Sequence, residues 1–298
     1  MQAKPVVLAH RPHVVIIGAG FAGLSTTRAL ANSPVDVMLI DRSNHHLFQP
    51  LLYQVATAAL SPAQIAQPVR AIVKNQQNCT VALGEVTNVD IEKKLVCGHH
   101  ANVSWDYLVI ATGATHTWFN HVEWAPYAPG FILWCAGVKA TPAAEWLKAK
   151  QDNAGRVLVS PDLSIPGHTD IFVIGDVARI VDANGITVPG LCPAAEQQGK
   201  YVAHLIDHKI RGLPPPSPFT YADYGTMATI GRGKAVAEIR GLKFSGLFAW
   251  ILWGAIHLMP LVGFRNRLVV ALDWFWAYLT RSRGVRLITA EQQSDSDL

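Results

Sequence analysis

Residues 13–41 read HVVIIGAGFAGLSTTRALANSPVDVMLID. A short β-branched run leads into Gly18-Ala19-Gly20-Phe21-Ala22-Gly23, then a segment of helical composition, then a second apolar run ending on Asp41. The pattern predicts a strand, a glycine-rich turn, a helix and a second strand. In such a unit Gly18 makes the tight turn, Gly20 lets the backbone approach a pyrophosphate, and Gly23 lets the helix press on the strand. Amide groups at the helix start hold the anion, and Asp41, 23 residues after Gly18, accepts hydrogen bonds from a ribose hydroxyl. Arg42 follows the acid and is assigned to the same site. A glycine pattern alone is common in loops. Here strand, helix and acid are all in register, so the unit is read as a dinucleotide site.

The length of 298 residues suggests about two domains. Half of the residues are apolar and 15% are charged, which allows a sizeable core. A net charge of +4 with no Lys/Arg run argues against nucleic acid as a partner. The arginines near the C-terminus alternate with aromatics on apolar segments, which fits an anionic membrane surface better. Cys79, Cys97, Cys135 and Cys192 form no CxxC pair and no metal-ligand spacing. They read as reduced structural thiols in a cytosolic compartment. The start, MQAKPVVLAHRPH, is too short and polar for a signal peptide, and the tail AEQQSDSDL is expected to be disordered.

Residues 44–73 look mostly helical, punctuated by Pro50, Pro62 and Pro68. Residues 79–97 alternate as in a small β-meander, and 105–113 read as a buried strand ending on Thr112-Gly113. VLV at 157–159 and DIFVIG at 170–175 repeat the strand theme, closing on Gly175-Asp176. A helix is expected from about Ala194 to Ile210, ended by Gly212 and the linker Pro214–Pro216. Residues 227–239 have hairpin character, turning at Gly231-Arg232-Gly233. Residues 244–264 carry no charge for 21 positions, but Pro260 and Gly263 interrupt them too early for a span. A second run, LVVALDWFWAYL, lies between Arg265 and Arg267 on one side and Arg281, Arg283 and Arg286 on the other. Two short Trp-rich helices flanked by arginines describe an interfacial anchor; a pair of core helices is the alternative.

At this point the motifs carry a resemblance. IIGAGFAGL (16–24), LFQPLLYQVATAAL (47–60), DYLVIATGATH (106–116), EWAPYAPG (123–130), LWCAGVKATP (133–142), PGHTDIFVIGDVA (166–178) and PGLCPAAEQQGKYVA (189–203) occur in family order. With the aromatic C-terminus, the chain resembles the type II, non-electrogenic NADH:quinone oxidoreductases. The resemblance implies an α/β, FAD/NAD(P)-binding, glutathione-reductase-type domain with a C-terminal helical membrane-anchoring region. It implies FAD, not NAD, in the first fold. Asp176 would bond the ribityl chain, and Thr112 and Gly113 would lie beside the cofactor. In PAAEQQG, Gln197 would meet a quinone and Gln198 the flavin edge, with Glu196 facing solvent. Tyr53 and Gln54 approach the flavin or merely pack helices. His45 and His46, without partners at metal spacing, are read as surface residues.

One departure is as informative. The family inserts an NADH-binding domain, on the order of 100 residues, between the Ala-Thr-Gly strand and the Gly-Asp strand. Here Gly113 and Gly175 are 62 residues apart, and no second GxGxxG follows a strand. The sequence therefore predicts a FAD domain over 1–216 with that insertion missing near 130/131, then a hairpin and anchor over 217–298. The implied activity passes electrons from NADH through FAD to a membrane quinone, with NADH oxidation in doubt. The alternatives are a quinone reductase with another donor and a non-catalytic flavin-binding remnant. The implied place is the cytoplasmic face of the inner membrane, and the resemblance allows a homodimer.

Overall fold

Strand β1 (His13–Ile17) is buried at every position after its first residue, as a central strand covered on both faces must be. The computed structural model describes residues 11–99, 101–116, 137–261 and 263–280. After β1 come helix α1 (Phe21–Ala29), β2 (Asp36–Asp41) and β3 (Cys79–Leu83). Strands β4 (Val86–Asp90), β5 (Leu95–Gly98) and β6 (Asn102–Ser104) form a separate antiparallel sheet. β7 (Tyr107–Ile110) follows, then β8 (Ala114–His116), which pairs antiparallel with β9 (Val138–Ala140). Strand β10 (Ile171–Val173) and the long helix α2 (Cys192–Arg211) follow.

The main sheet is parallel in the order β10-β7-β1-β2-β3. Ile17 pairs in register with Ile40 on one side and Ile110 on the other. The carboxyl ends of three strands are thereby level, and Gly18, Asp41 and Ala111 leave the sheet together. A doubly wound sheet binds its ligand at that edge.

Close packing fixes the helices on this edge. Gly18 has φ +103°, and a Cβ there would lie 2.3 Å from the Ala111 carbonyl oxygen. A Cβ at Gly23 would lie 1.8 Å from the Gly18 oxygen, so α1 touches the turn backbone to backbone. Gly199 of α2 does the same to α1, where a Cβ would come within 2.4 Å of the Ala22 oxygen. Ser25 Oγ donates to the Glu196 carbonyl at 2.8 Å and stitches the same two helices.

Several expectations need correction. Cys79–Leu83 is the edge strand of the parallel sheet, and the meander begins only at Val86. Residues 44–73 are not one helical stretch; they hold short strands at His45–Leu47 and Ala66–Pro68 and helical turns at Leu52–Ala56, Pro62–Ile65 and Val69–Ile72. Proline removes an amide donor and restricts the residue before it, so Pro50, Pro62 and Pro68 cut the helix into pieces. The expected end of α2 is observed: Gly212 takes φ 65°, and Leu213 N–H donates back to the His208 carbonyl.

The chain forms two compact units, Met1–His46 with Pro68–Tyr224, and Leu47–Gln67 with Gly225–Leu298. The division falls at 224/225, not at 216/217, because Phe219 is buried against Tyr201 and its backbone bonds Pro161 and Ala183. The expected junction near 130/131 lies outside the described residues, as does Cys135.

The second unit, taken by itself, is a three-stranded antiparallel sheet of β11 (Thr226–Gly231), β12 (Lys234–Ile239) and β13 (Leu242–Ser245). Helices α3 (Gly246–Leu258) and α4 (Phe264–Thr280) follow. The hairpin at 231–233 is as expected, but a second one turns at Arg240-Gly241 with φ of 50° and 81°. Ala249 of α3 packs on Ala235 and Ala237 of β12. Among the described residues, no helix is long and apolar enough to cross a membrane.

Two glycines separate close packing from open space. Gly199→Ala drives a methyl into α1 and should destabilise the fold by about 1–3 kcal/mol, as overpacking does. Gly20 has nothing within 4 Å of a built Cβ, and Gly20→Ala should leave the melting temperature near that of the parent. Thermal unfolding of the two variants checks the contrast; equal melting temperatures would contradict the packing argument.

Candidate functional site

The turn after β1 is held on both sides of one residue. Ala19 N–H donates to Asp41 Oδ2 at 2.5 Å, and Ser43 N–H donates to Asp41 Oδ1 at 2.6 Å. The Ala19 carbonyl accepts from His46 Nδ1 at 3.0 Å. The peptide bonds are trans, so tying that carbonyl to His46 points the Gly20 N–H the other way. No side chain covers Gly20, and this is where the fingerprint calls for an anion. Each Asp41 oxygen keeps a further lone pair for an incoming hydroxyl.

His46 corrects the sequence reading. It is 5% exposed, packed edge-on to Phe21 with ring centroids 4.9 Å apart, while His45 is exposed. Burial pushes its pKa below the usual value; the Ala19 carbonyl and Asp41 pull the other way and His45 adds to the lowering.

Beside the turn lies a cavity of about 390 Å³, lined by Gly18, Asp41, Arg42, Val86, Thr112, Thr141 and Trp146 among others. Thr112 Oγ1 and Thr141 Oγ1 are hydrogen-bonded at 2.5 Å, and Gly113 takes φ 68° to turn the chain away. A carboxylate, a guanidinium and an aromatic wall suit a nucleoside.

The Gly175-Asp176 pair reaches the same edge from β10. Gly175 has φ 77° and faces the Ala22 methyl. Its N–H donates to Gln198 Oε1 at 2.6 Å, and Gln198 is 3% exposed. Gln198 thus ties α2 to the Gly-Asp turn. Asp176 is half-buried, and that burial pushes its carboxyl above the usual value against the pull of Arg156. Gln197 points elsewhere. Its Nε2 donates to the Ala222 carbonyl and its Oε1 accepts from the Ala222 N–H, both at 2.9 Å. Glu196, expected to face solvent, is half-buried with its Oε1 3.9 Å from Cys192 Sγ. Burial, reinforced by Glu196 and Asp176, pushes the Cys192 thiol far up, and burial raises Cys79 to about 11. Neither is a thiolate near neutrality, so neither offers a nucleophile.

Within the second unit alone there is a cavity of about 620 Å³ walled by Trp250, Trp253, Trp274, Tyr53 and Tyr278. Gln54, Thr57, Thr229 and Arg232 supply polar groups beside the tyrosine hydroxyls. Sequence reasoning flagged Tyr53 and Gln54 but missed Trp274 as their partner, a contact spanning 220 positions. Among the described residues no cluster of His, Cys, Asp and Glu could hold a metal ion.

Residues 12–123 match the pyridine nucleotide-disulphide oxidoreductase family, and residues 224–282 match the NDH2 C-terminal domain. The type II NADH:quinone oxidoreductase Ndh of Mycobacterium tuberculosis is 29% identical over 437 residues, covering 98% of this chain and 93% of the relative. This chain has 298 residues, so 437 less 298, or at least 139 positions of that alignment, face a gap in it. The structure of NDH2 from Plasmodium falciparum in complex with NADH superposes with a TM-score of 0.78 at 14% identity, covering 93% of this chain and 100% of that one. The sulfide:quinone oxidoreductase of Aquifex aeolicus gives a TM-score of 0.65 at 15% identity, covering 83% and 90%. At those identities the likeness is one of fold.

The raised carboxyl of Asp176 has a stability consequence. As pH rises, the unfolded carboxyl ionises before the folded one, so the folded state loses stability from the unfolded pKa up to the folded pKa and stays lower above it. Asp176→Asn should therefore raise the melting temperature of the FAD-free protein near pH 7 and give no gain once pH falls below the ordinary carboxyl pKa. Thermal scans at both pH values check this; a gain equal at the two would show that burial of the charge is not its source.

Proposed function

This chain belongs to the type II NADH:quinone oxidoreductase family, and from that premise we propose a FAD-binding quinone reductase at a membrane surface that has lost its NADH-binding domain. The observation that carries the proposal is the Gly18–Asp41 turn, where a Cβ at 18 or 23 would collide with backbone while the space beside Gly20 is open. The family is one of FAD-dependent oxidoreductases, and these residues fit that cofactor. The Gly20 amide and the start of α1 would take the pyrophosphate, Asp41 the ribose hydroxyls, and Arg42, Thr112 and Gly113 the nucleoside side. Phe21 and Ala22 shape the helix start, and Ala19 is held by Asp41 and His46. Gly175 and Asp176 would meet the ribityl chain, with Gln198 fixing Gly175 in place. When bound, FAD supplies the two-electron chemistry; the protein supplies placement and the electrostatic setting.

The loss of the NADH domain is supported by three observations. At least 139 aligned positions of the mycobacterial relative have no counterpart here, Gly113 and Gly175 are 62 residues apart, and β8 and β9 pair antiparallel. That pairing brings the ends of the intervening segment together, so a domain can leave there without disturbing the parallel sheet. Without its phosphate cradle NADH is not positioned for hydride transfer, and effective molarity falls by orders of magnitude. This favours a second reading, in which another donor reduces the flavin or none does.

For the quinone we assign the aromatic cavity of the second unit, whose walls suit a flat apolar ring. Within the first unit, the resemblance assigns Gln197 of α2 to a quinone; to serve a carbonyl it must exchange its bonds to Ala222. The membrane reading rests on α3 and α4, which expose Leu247, Phe248, Ile251, Phe264, Phe275 and Trp276. Helices of 13 and 17 residues lie in an interface more readily than they span it. Basic flanking residues such as Arg265 and Arg267 suit anionic headgroups on the cytoplasmic face.

Purified protein should carry FAD or take it up when added, and Asp41→Ala should weaken retention by about 1–3 kcal/mol. A colourless protein that ignores added FAD would overturn the proposal. On the membrane side, the full chain should float with anionic phosphatidylglycerol vesicles and be released only partly by high salt, because apolar burial persists when charges are screened. A chain that remains at the bottom of the gradient without detergent would mean that α3 and α4 are not an anchor.

A further inference from the structure

Three hydrogen bonds on the wall of the aromatic cavity form one chain with a defined direction. Trp274 Nε1 donates to Gln54 Oε1 at 2.8 Å, Gln54 Nε2 donates to Tyr53 Oη at 3.1 Å, and Tyr53 Oη is 3.1 Å from Thr229 Oγ1. An indole nitrogen can only donate, so the Gln54 atom facing it must be the carbonyl oxygen. That fixes the amide and leaves its NH₂ aimed at the phenol. The phenol oxygen therefore accepts from Gln54, and its single proton must point away, toward Thr229 or into the cavity. Thr229 is adaptable because a hydroxyl can give or take. If a ligand accepts the Tyr53 proton, Thr229 can turn and donate to the phenol oxygen, and every polar atom in the chain stays satisfied.

We infer that Tyr53 is a directed hydrogen-bond donor of this cavity, poised by Trp274 and Gln54 to bind a carbonyl oxygen of a flat aromatic ligand, and that it selects a quinone over a ring of the same shape without carbonyls. The inference rests on the assignment of the cavity to the quinone and adds the residue that reads the ligand's oxygen. The ring of Tyr53 is held edge-on to Trp253 with centroids 6.5 Å apart, so its hydroxyl is presented from a fixed aromatic frame. Gln54 is buried, which removes water as an alternative partner for its amide. Among the described residues no acidic side chain lines the cavity, so a flat ring with acceptor oxygens is the chemistry that matches the Tyr53 hydroxyl and the Arg232 guanidinium against Trp walls. A site built to bond a substrate oxygen discriminates strongly against the analogue lacking it.

The test uses the full-length protein in detergent with two probes, 2-methyl-1,4-naphthoquinone and 2-methylnaphthalene, followed by quenching of tryptophan fluorescence. Tyr53→Phe should weaken the naphthoquinone about tenfold, the value of one hydrogen bond, and leave 2-methylnaphthalene unchanged. The infrared carbonyl stretch of the bound quinone, lowered in the parent, should return toward its free position. Gln54→Glu supplies a second reading with the hydroxyl retained. At about pH 8 its carboxylate can only accept, so it turns the Tyr53 proton inward and should weaken the naphthoquinone as Tyr53→Phe does. Equal losses for both probes in Tyr53→Phe would make the effect one of packing and overturn the inference while the quinone assignment stands. An unshifted carbonyl band would overturn it in the same way. Failure of both probes to quench the parent protein would overturn the cavity assignment and the inference with it.

Discussion

At Gly18 and at Gly23 the backbone leaves no room for a side chain, and the first unit is arranged around that fact. A Cβ at Gly18 would strike Ala111, and one at Gly23 would strike Gly18 itself. α1 can therefore sit directly on the turn, and its second residue, Ala22, becomes a meeting point. Gly199 of α2 rests on the Ala22 carbonyl, and Gly175 rests on the Ala22 methyl. Three segments far apart in sequence reach one point because each brings a glycine to it. The turn after β1 and the Gly-Asp turn are thus packed backbone against backbone and methyl.

Polar residues around the turn then act on backbone groups. Asp41 holds the Ala19 and Ser43 amides, His46 meets the Ala19 carbonyl, and Gln198 takes the Gly175 amide. A buried polar group without a partner costs about 1–3 kcal/mol, so each of these bonds also guards the fold against misplacing the turn. Asp176 is the contrast. It is half-buried, and that burial disfavours its charge against the pull of Arg156.

What the sequence made legible were features written in local chemistry. The β-branched run before Gly18, the acid in register and the Gly212 stop of α2 all hold in the structure. What it hid depends on distant partners. CTVAL alternates as a meander strand does, and only its pairing with β2 places it in the parallel sheet. His45 and His46 are indistinguishable by type; the second is buried because Ala19, 27 positions earlier, offers a carbonyl. Gln197 and Gln198 are also adjacent, yet one helical step sends the first to Ala222 and the second to Gly175. The turn at Arg240-Gly241 went unseen because arginine is not a residue that announces positive φ.

The second unit shows the same economy, with Trp274 and Gln54 setting the direction of the Tyr53 hydroxyl inside an aromatic wall. We propose that the flavin and quinone halves of a type II NADH:quinone oxidoreductase are retained here while the NADH half is gone. Anaerobic stopped-flow of the FAD-loaded protein tests this most directly. Dithionite should bleach the flavin, and added naphthoquinone should restore it, while NADH should bleach it only slowly and without saturation. Rapid bleaching that saturates at low micromolar NADH would contradict the account.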